Sequence, residues 1–316
     1  MKQKGLKFLV TGGAGFIGSH IVDKLLTDGH EVTIIDNLTS GRLENISHHL
    51  DDEFLHFIKG DILNLNFIKK CVKDQDCIFH EAAITSVPFS VKNSLITNET
   101  NIIGTLNLLQ SCLDANVKKF IFASSASVYG EKNISPMKED YNLYPKSPYA
   151  VSKIAGEYYS KLYYELYGLE TICLRYFNVY GPRARSNQGV ISKFINQILE
   201  NKSPIIYGDG EQTRDFINVK DVAEANILAM QNQNAVGEVI NIGHGRGISI
   251  NEVFSIISST LNKKYIKPIY EKSRIGDIRH GYADIQKARD LIGFRPLISI
   301  HEGIKECIEY FKENPR

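Results

Sequence analysis

The sequence predicts an α/β protein in which a doubly wound parallel sheet is followed by a smaller C-terminal lobe. Three observations carry this. Short, continuously apolar runs alternate with longer segments whose apolar residues recur every three and four positions, the pattern of strands buried on both faces and separated by crossover helices. A glycine-rich turn joins the first apolar run to the first helical one. Past about residue 180 the texture changes to a polar loop and shorter elements.

The expected strands are "LKFLVT" (6–11), "EVTIID" (31–36), "FLHFIK" (54–59), "CIFH" (77–80), "KFIFASS" (119–125) and "ETICLRYF" (170–177). Between them "GFIGSHIVDKLLTDG", "NFIKKCVKD" and "SLITNETNIIGTLNLLQSCLDAN" read as helices. Right-handed crossovers wind such a chain into a Rossmann sheet with helices on both faces. Beyond it, "GPRARSNQG" reads as a polar loop. A helix near 190–200, "PIIYG", a helix from Asp221, a strand at "EVINIG", a helix near 250–261 and terminal helices follow. No repeat or flexible linker separates the parts. Residues 1–180 are therefore expected to form the sheet domain and 181–316 mainly a lobe packed on it.

The totals narrow the class. A length of 316 residues supports one large α/β unit or two modest domains. Hydrophobic content of 43% and charged content of 23% are ordinary for a globular chain, and a net charge of +1 provides no field for nucleic acid or an anionic membrane. No apolar run reaches bilayer length, and the first residues enter a strand without a signal-peptide core. Cys71, Cys77, Cys112, Cys173 and Cys307 lack C-x-x-C spacing and sit mostly in apolar stretches. They read as reduced core thiols of a cytoplasmic protein. The nine histidines show no metal spacing, so no metal is expected, and His48–His49 reads as a solvated loop.

"VTGGAGFIGSH" follows the first strand and opens the first helix. Gly12, Gly15 and Gly18 lie three apart, and Gly13, Gly15 and Gly18 also fit G-x-G-x-x-G. Glycine lets the backbone turn sharply and approach a pyrophosphate resting on the helix N-terminus. Asp36, ending the second strand, suits an adenosine ribose hydroxyl and would repel a 2′-phosphate, which favours NAD over NADP. Arg42 nearby weakens that preference slightly.

"SPYAVSK" (147–153) sets Tyr149 and Lys153 four residues apart, on one face of a helix whose first position suits Pro148. A nearby ammonium favours phenolate, so the lysine is expected to move the tyrosine down toward a working pH, as a general base requires. An aromatic packed under a solvated lysine is the plain alternative.

With the dinucleotide site in place, the chain resembles the extended short-chain dehydrogenase/reductase superfamily and, within it, the nucleotide-sugar 4-epimerases, over essentially its whole length. The residues that carry this are "TGGAGFIG" (11–18), "DNLTSG" (36–41), "GDI" (60–62), "HEAA" (80–83), "NIIGT" (101–105), "SSASVYG" (124–130), "YAVSK" (149–153), "RYFNVYGPR" (175–183), "TRDFINVKD" (213–221) and "GDIRHGYAD" (276–284). The resemblance implies a catalytic triad of Ser125, Tyr149 and Lys153. It implies that Phe16, Ile17, Asp36, Asn37, Ser40, Asp61, Ile62, Ala82, Ala83, Asn101 and Tyr176 line NAD together with the glycine turn. Asn178, Val190, Tyr207, Arg214, Arg274 and Asp277 fall where such proteins hold a nucleoside diphosphate sugar. A guanidinium fork suits a diphosphate. Ion pairs of Arg214 and Arg274 with Asp215 and Asp277, and an Asn178 turn cap, are the structural alternatives.

The implied reaction is transient oxidation at the sugar C4 and re-reduction on the other face. Related dehydratases carry Asp-Glu after the hydroxyl residue, and decarboxylases commonly a glutamate. Here Ala126 and Ser127 follow Ser125, which disfavours both. Gly281 aligns with a position where a bulky residue restricts some epimerases to plain hexoses. That implies room for a 2-N-acetyl group, although a tight turn would equally explain glycine. Thr85 replaces a lysine of hexose-specific members. UDP-N-acetylglucosamine and UDP-N-acetylgalactosamine are thus expected substrates beside UDP-glucose and UDP-galactose. UDP-glucuronate is the alternative, with Thr85, Ser86 and Arg185 available to a carboxylate. Another nucleotide-sugar oxidoreductase activity and a non-catalytic NAD sensor are further readings. Glu81 stands where many relatives carry a neutral residue and is expected to face solvent. The helices at 93–116 and 148–167 imply a homodimer, as the family pairs such helices.

Overall fold

The computed structural model describes residues 5–131, 134–185, 188–273 and 279–314. Its strands are β1 (Lys7–Thr11), β2 (Glu31–Asp36), β3 (Leu55–Lys59), β4 (Cys77–His80), β5 (Lys119–Ser125), β6 (Glu170–Tyr176), β7 (Asn178–Tyr180), β8 (Ile205–Tyr207), β9 (Thr213–Asn218), β10 (Val239–Ile242), β11 (Gly247–Ser249), β12 (Ile269–Glu271) and β13 (His280–Gly281). The helices are α1 (Phe16–Thr27), α2 (Leu65–Cys71), α3 (Val87–Lys92), α4 (Ser94–Asn98), α5 (Gly104–Asp114), α6 (Pro148–Tyr167), α7 (Gly189–Leu199), α8 (Val219–Gln231), α9 (Ile250–Thr260), α10 (Gln286–Ile292) and α11 (Ile300–Glu313).

Seven strands form a parallel sheet in the order β10-β6-β5-β4-β1-β2-β3. The order reverses between β1 and β4, the switch point at which doubly wound sheets open a crevice beyond their strand ends. Strand alternation divides the core. Phe8, Val10, Ile34, Phe79 and Ile121 join Ile21 and Val22 of α1 and Val222 and Ala225 of α8 on one face. Leu9, Ile35, Ile78, Phe120 and Phe122 join Ile68, beneath α2, and Leu108 and Leu109 of α5 on the other. Helix α6 packs on β5 and β6 beside α5.

The segment expected as a single helix from 94 to 116 is instead α4 and α5 joined through a π-helical turn, Glu99–Ile103. That wide turn carries the buried Asn101. The C-terminal half contributes a second core around α7, α9 and α11, including Phe194, Ile195, Val253, Ile257, Ile304 and Phe311. Short strands cover it, with β11-β9-β13 and β7 in one sheet and β12-β8 in another. The chain also returns to the large sheet, because β10 pairs with β6 and α8 packs against α1.

Candidate active site

The glycine turn is built for close approach. Gly12 has φ +70°, and a Cβ there would lie 2.8 Å from the Ala82 nitrogen. A Cβ on Gly18 would come within 2.3 Å of the Gly12 carbonyl oxygen. Gly15 caps α1, with its amide donating to Gly12 O at 2.9 Å. Phe16 and Ile17 open the helix, half-buried. Asp36 accepts from the amides of Ala14 (3.1 Å) and Leu38 (2.8 Å), and Gly41 folds so tightly over it that a Cβ would collide with its carboxylate. Burial pushes the Asp36 carboxyl up, while those amides pull it down. Asn37 donates to Asp61 at 2.8 Å, and Ile62 is buried beneath Gly104. Half-buried Ala82 and Ala83 lie just past β4. The nest of small residues and the cradled acid fit the pyrophosphate and ribose of a dinucleotide.

Helix α6 delivers the candidate catalytic pair. Ser147 caps it by accepting from the Ala150 amide at 3.2 Å, and Pro148 occupies the first turn. Tyr149 and Lys153 are 9% and 4% exposed. Lys153 Nζ donates to the Ala123 carbonyl at 2.7 Å and lies 5.9 Å from the centre of the Tyr149 ring. Ser125, the last residue of β5, has its hydroxyl accepting from the Ser127 amide at 3.2 Å and stands near enough to the Tyr149 phenol to lower its pKa. The expectation that the lysine moves Tyr149 down is corrected here. Burial pushes the phenol up, the Ser125 hydroxyl pulls it down, and the Glu81 charge raises it again. Burial pulls the Lys153 ammonium down, opposed by Glu81, Glu157 and Cys173.

A chain of hydrogen bonds sets this helix against the sheet edge. Thr105 donates to Asn101 O at 2.7 Å, so its oxygen receives Nε2–H of His80 (2.9 Å), while Thr11 donates to His80 Nδ1 (2.7 Å). This network assigns His80 as the neutral Nε2–H tautomer. The Asn101 amide donates to Ser152 Oγ at 2.9 Å and clasps both backbone groups of Ile84. Ser152 in turn donates to Tyr149 O at 2.8 Å. One turn along α6, Glu157 takes a two-pronged bond from Arg175, both contacts at 2.8 Å, and a short bond from Ser124. Arg175 also donates to Tyr129, which donates to Asn241 at 2.6 Å.

Glu81 is a second correction. It is half-buried and not simply solvated: its carboxylate accepts from the Tyr176 hydroxyl at 2.8 Å, and that hydroxyl also lies 2.8 Å from Asn226 Nδ2 and 3.0 Å from Asn226 Oδ1. Burial pushes the Glu81 carboxyl up, while the Tyr176 bond and the Lys153 charge pull it down.

The substrate candidates come from the second lobe. Arg214 lies in β9, with Nη1 donating to the Thr213 carbonyl at 2.8 Å. Asp215, its suggested ion-pair partner, instead accepts from the amides of His244, Gly245 and Ala283. Asn178 begins β7 and donates to Asp215 O at 3.1 Å, so it belongs to a strand and not to a turn cap. Gly281 is buried in β13 opposite Arg214 and is likewise no turn. Tyr207 ends β8, and half-buried Val190 packs against the second core. Arg274 and Asp277 lie outside the described residues. Arg185 donates to the carbonyl of Ser40 at 2.7 Å and so ties the loop after β7 to the loop after β2.

Sequence spacing missed two features. Ser127, two residues past Ser125, has a buried hydroxyl with no hydrogen-bond partner among the described residues. His48 and His49 lie in a short, largely exposed 3-10 turn, Ser47–His49, and are tied down by Asp23. Both bond Asp23 Oδ1, at 3.0 and 3.1 Å, and Arg183 supplies a positive charge 2.8 Å from the other oxygen.

Comparison with known proteins fits this geometry. A family model described as the NAD dependent epimerase/dehydratase family matches residues 8–243. A UDP-N-acetylglucosamine 4-epimerase from Methanobrevibacter ruminantium, solved with UDP-N-acetylmuramic acid, superposes with TM-score 0.94 at 46% identity, covering 99% of this chain and 100% of that one. The UDP-glucose 4-epimerase of Thermotoga maritima, solved with UDP-glucose, gives 0.93 at 38% identity over 98% and 100%. A UDP-glucuronic acid 4-epimerase from Bacillus cereus, solved with UDP-glucuronic acid and NAD, gives 0.92 at 36% over 98% and 100%. The chain belongs to the NAD-dependent epimerase/dehydratase family of the short-chain dehydrogenase/reductase superfamily, and its cofactor is NAD.

Proposed function

We propose that the protein is an isomerase, a UDP-sugar 4-epimerase acting on UDP-N-acetylglucosamine and UDP-N-acetylgalactosamine and also on UDP-glucose and UDP-galactose. The observation that carries this is the make-up of the β5 edge. Ser125 ends β5 near Tyr149, Lys153 Nζ lies 5.9 Å from the Tyr149 ring, and the residues after Ser125 are Ala126 and Ser127, which cannot serve as an acid or base at neutral pH. Bound NAD supplies the acceptor and donor of hydride at C4. Tyr149 takes the C4 hydroxyl proton, Ser125 donates to the same oxygen, and Lys153 holds positive charge beside them. Rotation of the 4-keto sugar presents its other face, and Tyr149 returns the proton. Arg214, Tyr207, Asn178 and Val190, with Arg274 and Asp277, are the proposed nucleotide-diphosphate anchor. Ser127's unpartnered hydroxyl offers a further contact to a sugar hydroxyl.

The buried glycine at 281 supports acceptance of the N-acetyl group, as does the similarity to the M. ruminantium enzyme. Of the three groups considered for a uronate, two are otherwise engaged. Ser86 caps α3, and Arg185 is bonded to Ser40. The test is epimer formation by the purified protein without added NAD, with both UDP-sugar pairs resolved by chromatography. Conversion of both is expected. Turnover of UDP-glucuronate alone would overturn the substrate assignment, and no conversion of any sugar would overturn the epimerase reading.

The proposed assembly is a homodimer in the cytoplasm. Val151, Tyr158, Leu162 and Leu166 form a stripe along α6, with Tyr158 61% and Leu166 66% exposed, and Leu95 of α4 is 83% exposed nearby. Spacings of seven, four and four place that stripe on one helical face, where a second copy would cover it. All five cysteines are unpaired thiols, which suits a reducing compartment.

A further inference from the structure

Glu81 follows β4 directly, and strand alternation explains where it goes. His80 faces the α5–α6 side, against Phe120, Phe122 and Thr105. Glu81 therefore turns to the α1–α8 side, where Tyr176 does the same one residue past Arg175. Glu81 is half-buried there. Its contact is a phenol, and a cation, Lys153, stands across the sheet edge with its Nζ on Ala123 O.

We propose that Glu81, bonded to Tyr176 just past β4, is a positioning residue that sets the pH window in which the Tyr149–Lys153 couple works. This rests on the epimerase reading and deepens it. Tyr176 from β6 bonds Glu81 and is itself bonded to Asn226 from α8. His80, the residue before Glu81, registers with Phe122, one residue before the Ala123 carbonyl that holds Lys153 Nζ, and Tyr176 registers with Ser125. Glu81 thus lies at the strand ends that carry the couple, and Lys153 and Tyr149 of α6 both feel its charge. Lys153 also feels Glu157 on its own helix and Cys173 on β6, and its charge helps to keep neighbouring His80 neutral.

The hydrogen bonds accommodate either state of Glu81. With the carboxylate ionised, Tyr176 donates to Glu81 and accepts from Asn226 Nδ2 at 2.8 Å. With it protonated, Glu81 donates to the phenol and Tyr176 donates to Asn226 Oδ1 at 3.0 Å. The proton can enter or leave without a buried group losing its partner. Burial raises Glu81 from the usual carboxylate range, consistent with that exchange. The Glu81 charge raises both Lys153 and Tyr149, so its removal acts on the two in the same direction.

The experiment compares pH profiles of kcat/KM for the holoenzyme, Glu81→Gln and Tyr176→Phe, alongside infrared pH-difference spectra of each holoprotein. Gln keeps an acceptor for Tyr176 but no charge. Both limbs of its profile are expected to move to lower pH, by on the order of one unit. Phe removes the donor that keeps Glu81 ionised, so the shift has the same sign and is smaller. Wild-type spectra are expected to show a protonated-carboxyl band that bleaches on raising the pH and is missing from Glu81→Gln. A Glu81→Gln profile superimposable on wild type, even at reduced kcat, would overturn the proposal. So would a wild-type spectrum without that band. If the wild type turns over no sugar, the epimerase reading fails separately, and the infrared comparison still decides whether Glu81 exchanges a proton.

Discussion

On the α5–α6 face of the large sheet, Glu157 is held by both prongs of the Arg175 guanidinium and by Ser124, and Arg175 is itself closed off by Tyr129 and Glu139 O. On the α1–α8 face, Glu81 meets one phenol, and the positive charge that acts on it belongs to Lys153, the proposed catalytic lysine. Both carboxylates sit under the same strand ends. The first is a closed, two-pronged ion pair, which makes it scaffold. The second has a partner that can reverse its own hydrogen bond, which leaves it able to titrate. Burial alone therefore does not say which carboxylate is structural; the identity of the partner does.

The largest expected effect breaks the chemistry of the α6 face. Tyr149→Phe should lower kcat about 10²–10⁴-fold, the usual range for a lost general acid–base group, while NAD stays bound when measured by its release on denaturation. Near-normal turnover would remove Tyr149 from its role. Next, Glu157→Gln should cost about 3–5 kcal/mol in urea unfolding, because the Arg175 guanidinium is left buried without its counter-charge. A loss below about 1 kcal/mol would show that this pair is scaffold in name only.

The buried histidines sharpen the comparison through pH. Burial lowers His20 from 6.5 to about 4, with Arg183 reinforcing it, and His80 from 6.5 to about 3, with Lys153 reinforcing it. Below 6.5 the unfolded chain binds protons that the folded chain refuses, so this stability is full above that value and falls as the solution is acidified. At about pH 5 the loss is about 2 kcal/mol for each group. His80→Gln should remove roughly half of that acid sensitivity in urea titrations. An unchanged slope would mean that His80 is protonated in the folded protein.

Much of the cofactor half was legible because its signals are local. Strands β2, β4 and β5 begin and end where their apolar runs do, and Ser147 and Pro148 mark the start of α6. What escaped was non-local or depended on facing. Nothing in "NETNII" announces a π turn, since Asn101 is placed by bonds to Ile84 and Ser152, far along the chain. Arg175 and Glu157 pair across a strand and a helix 18 residues apart. Glu81, one residue beyond β4, was expected to face solvent, yet the alternation that buries His80 on one side sends Glu81 to the other, onto Tyr176. The strands β7, β11 and β13 are two or three residues long, too short for any periodicity to register.

The smallest expected effect lies in the second lobe, at Gly281. Its register partner is Arg214, so β13 runs beside the strand that carries the proposed diphosphate contact. If the sugar's 2-substituent passes this strand, a large side chain there should obstruct the N-acetyl group more than a hydroxyl. Gly281→Tyr should then lower kcat/KM for UDP-N-acetylglucosamine relative to UDP-glucose by about tenfold, equivalent to about 1.4 kcal/mol of discrimination. Nucleotide binding provides the control. If Kd for UDP is unchanged and only the sugar ratio moves, the glycine acts on specificity. An equal loss for both sugars with weakened UDP binding would instead make Gly281 a packing requirement of the β9–β13 pair, and the selectivity would have to come from another part of the pocket wall.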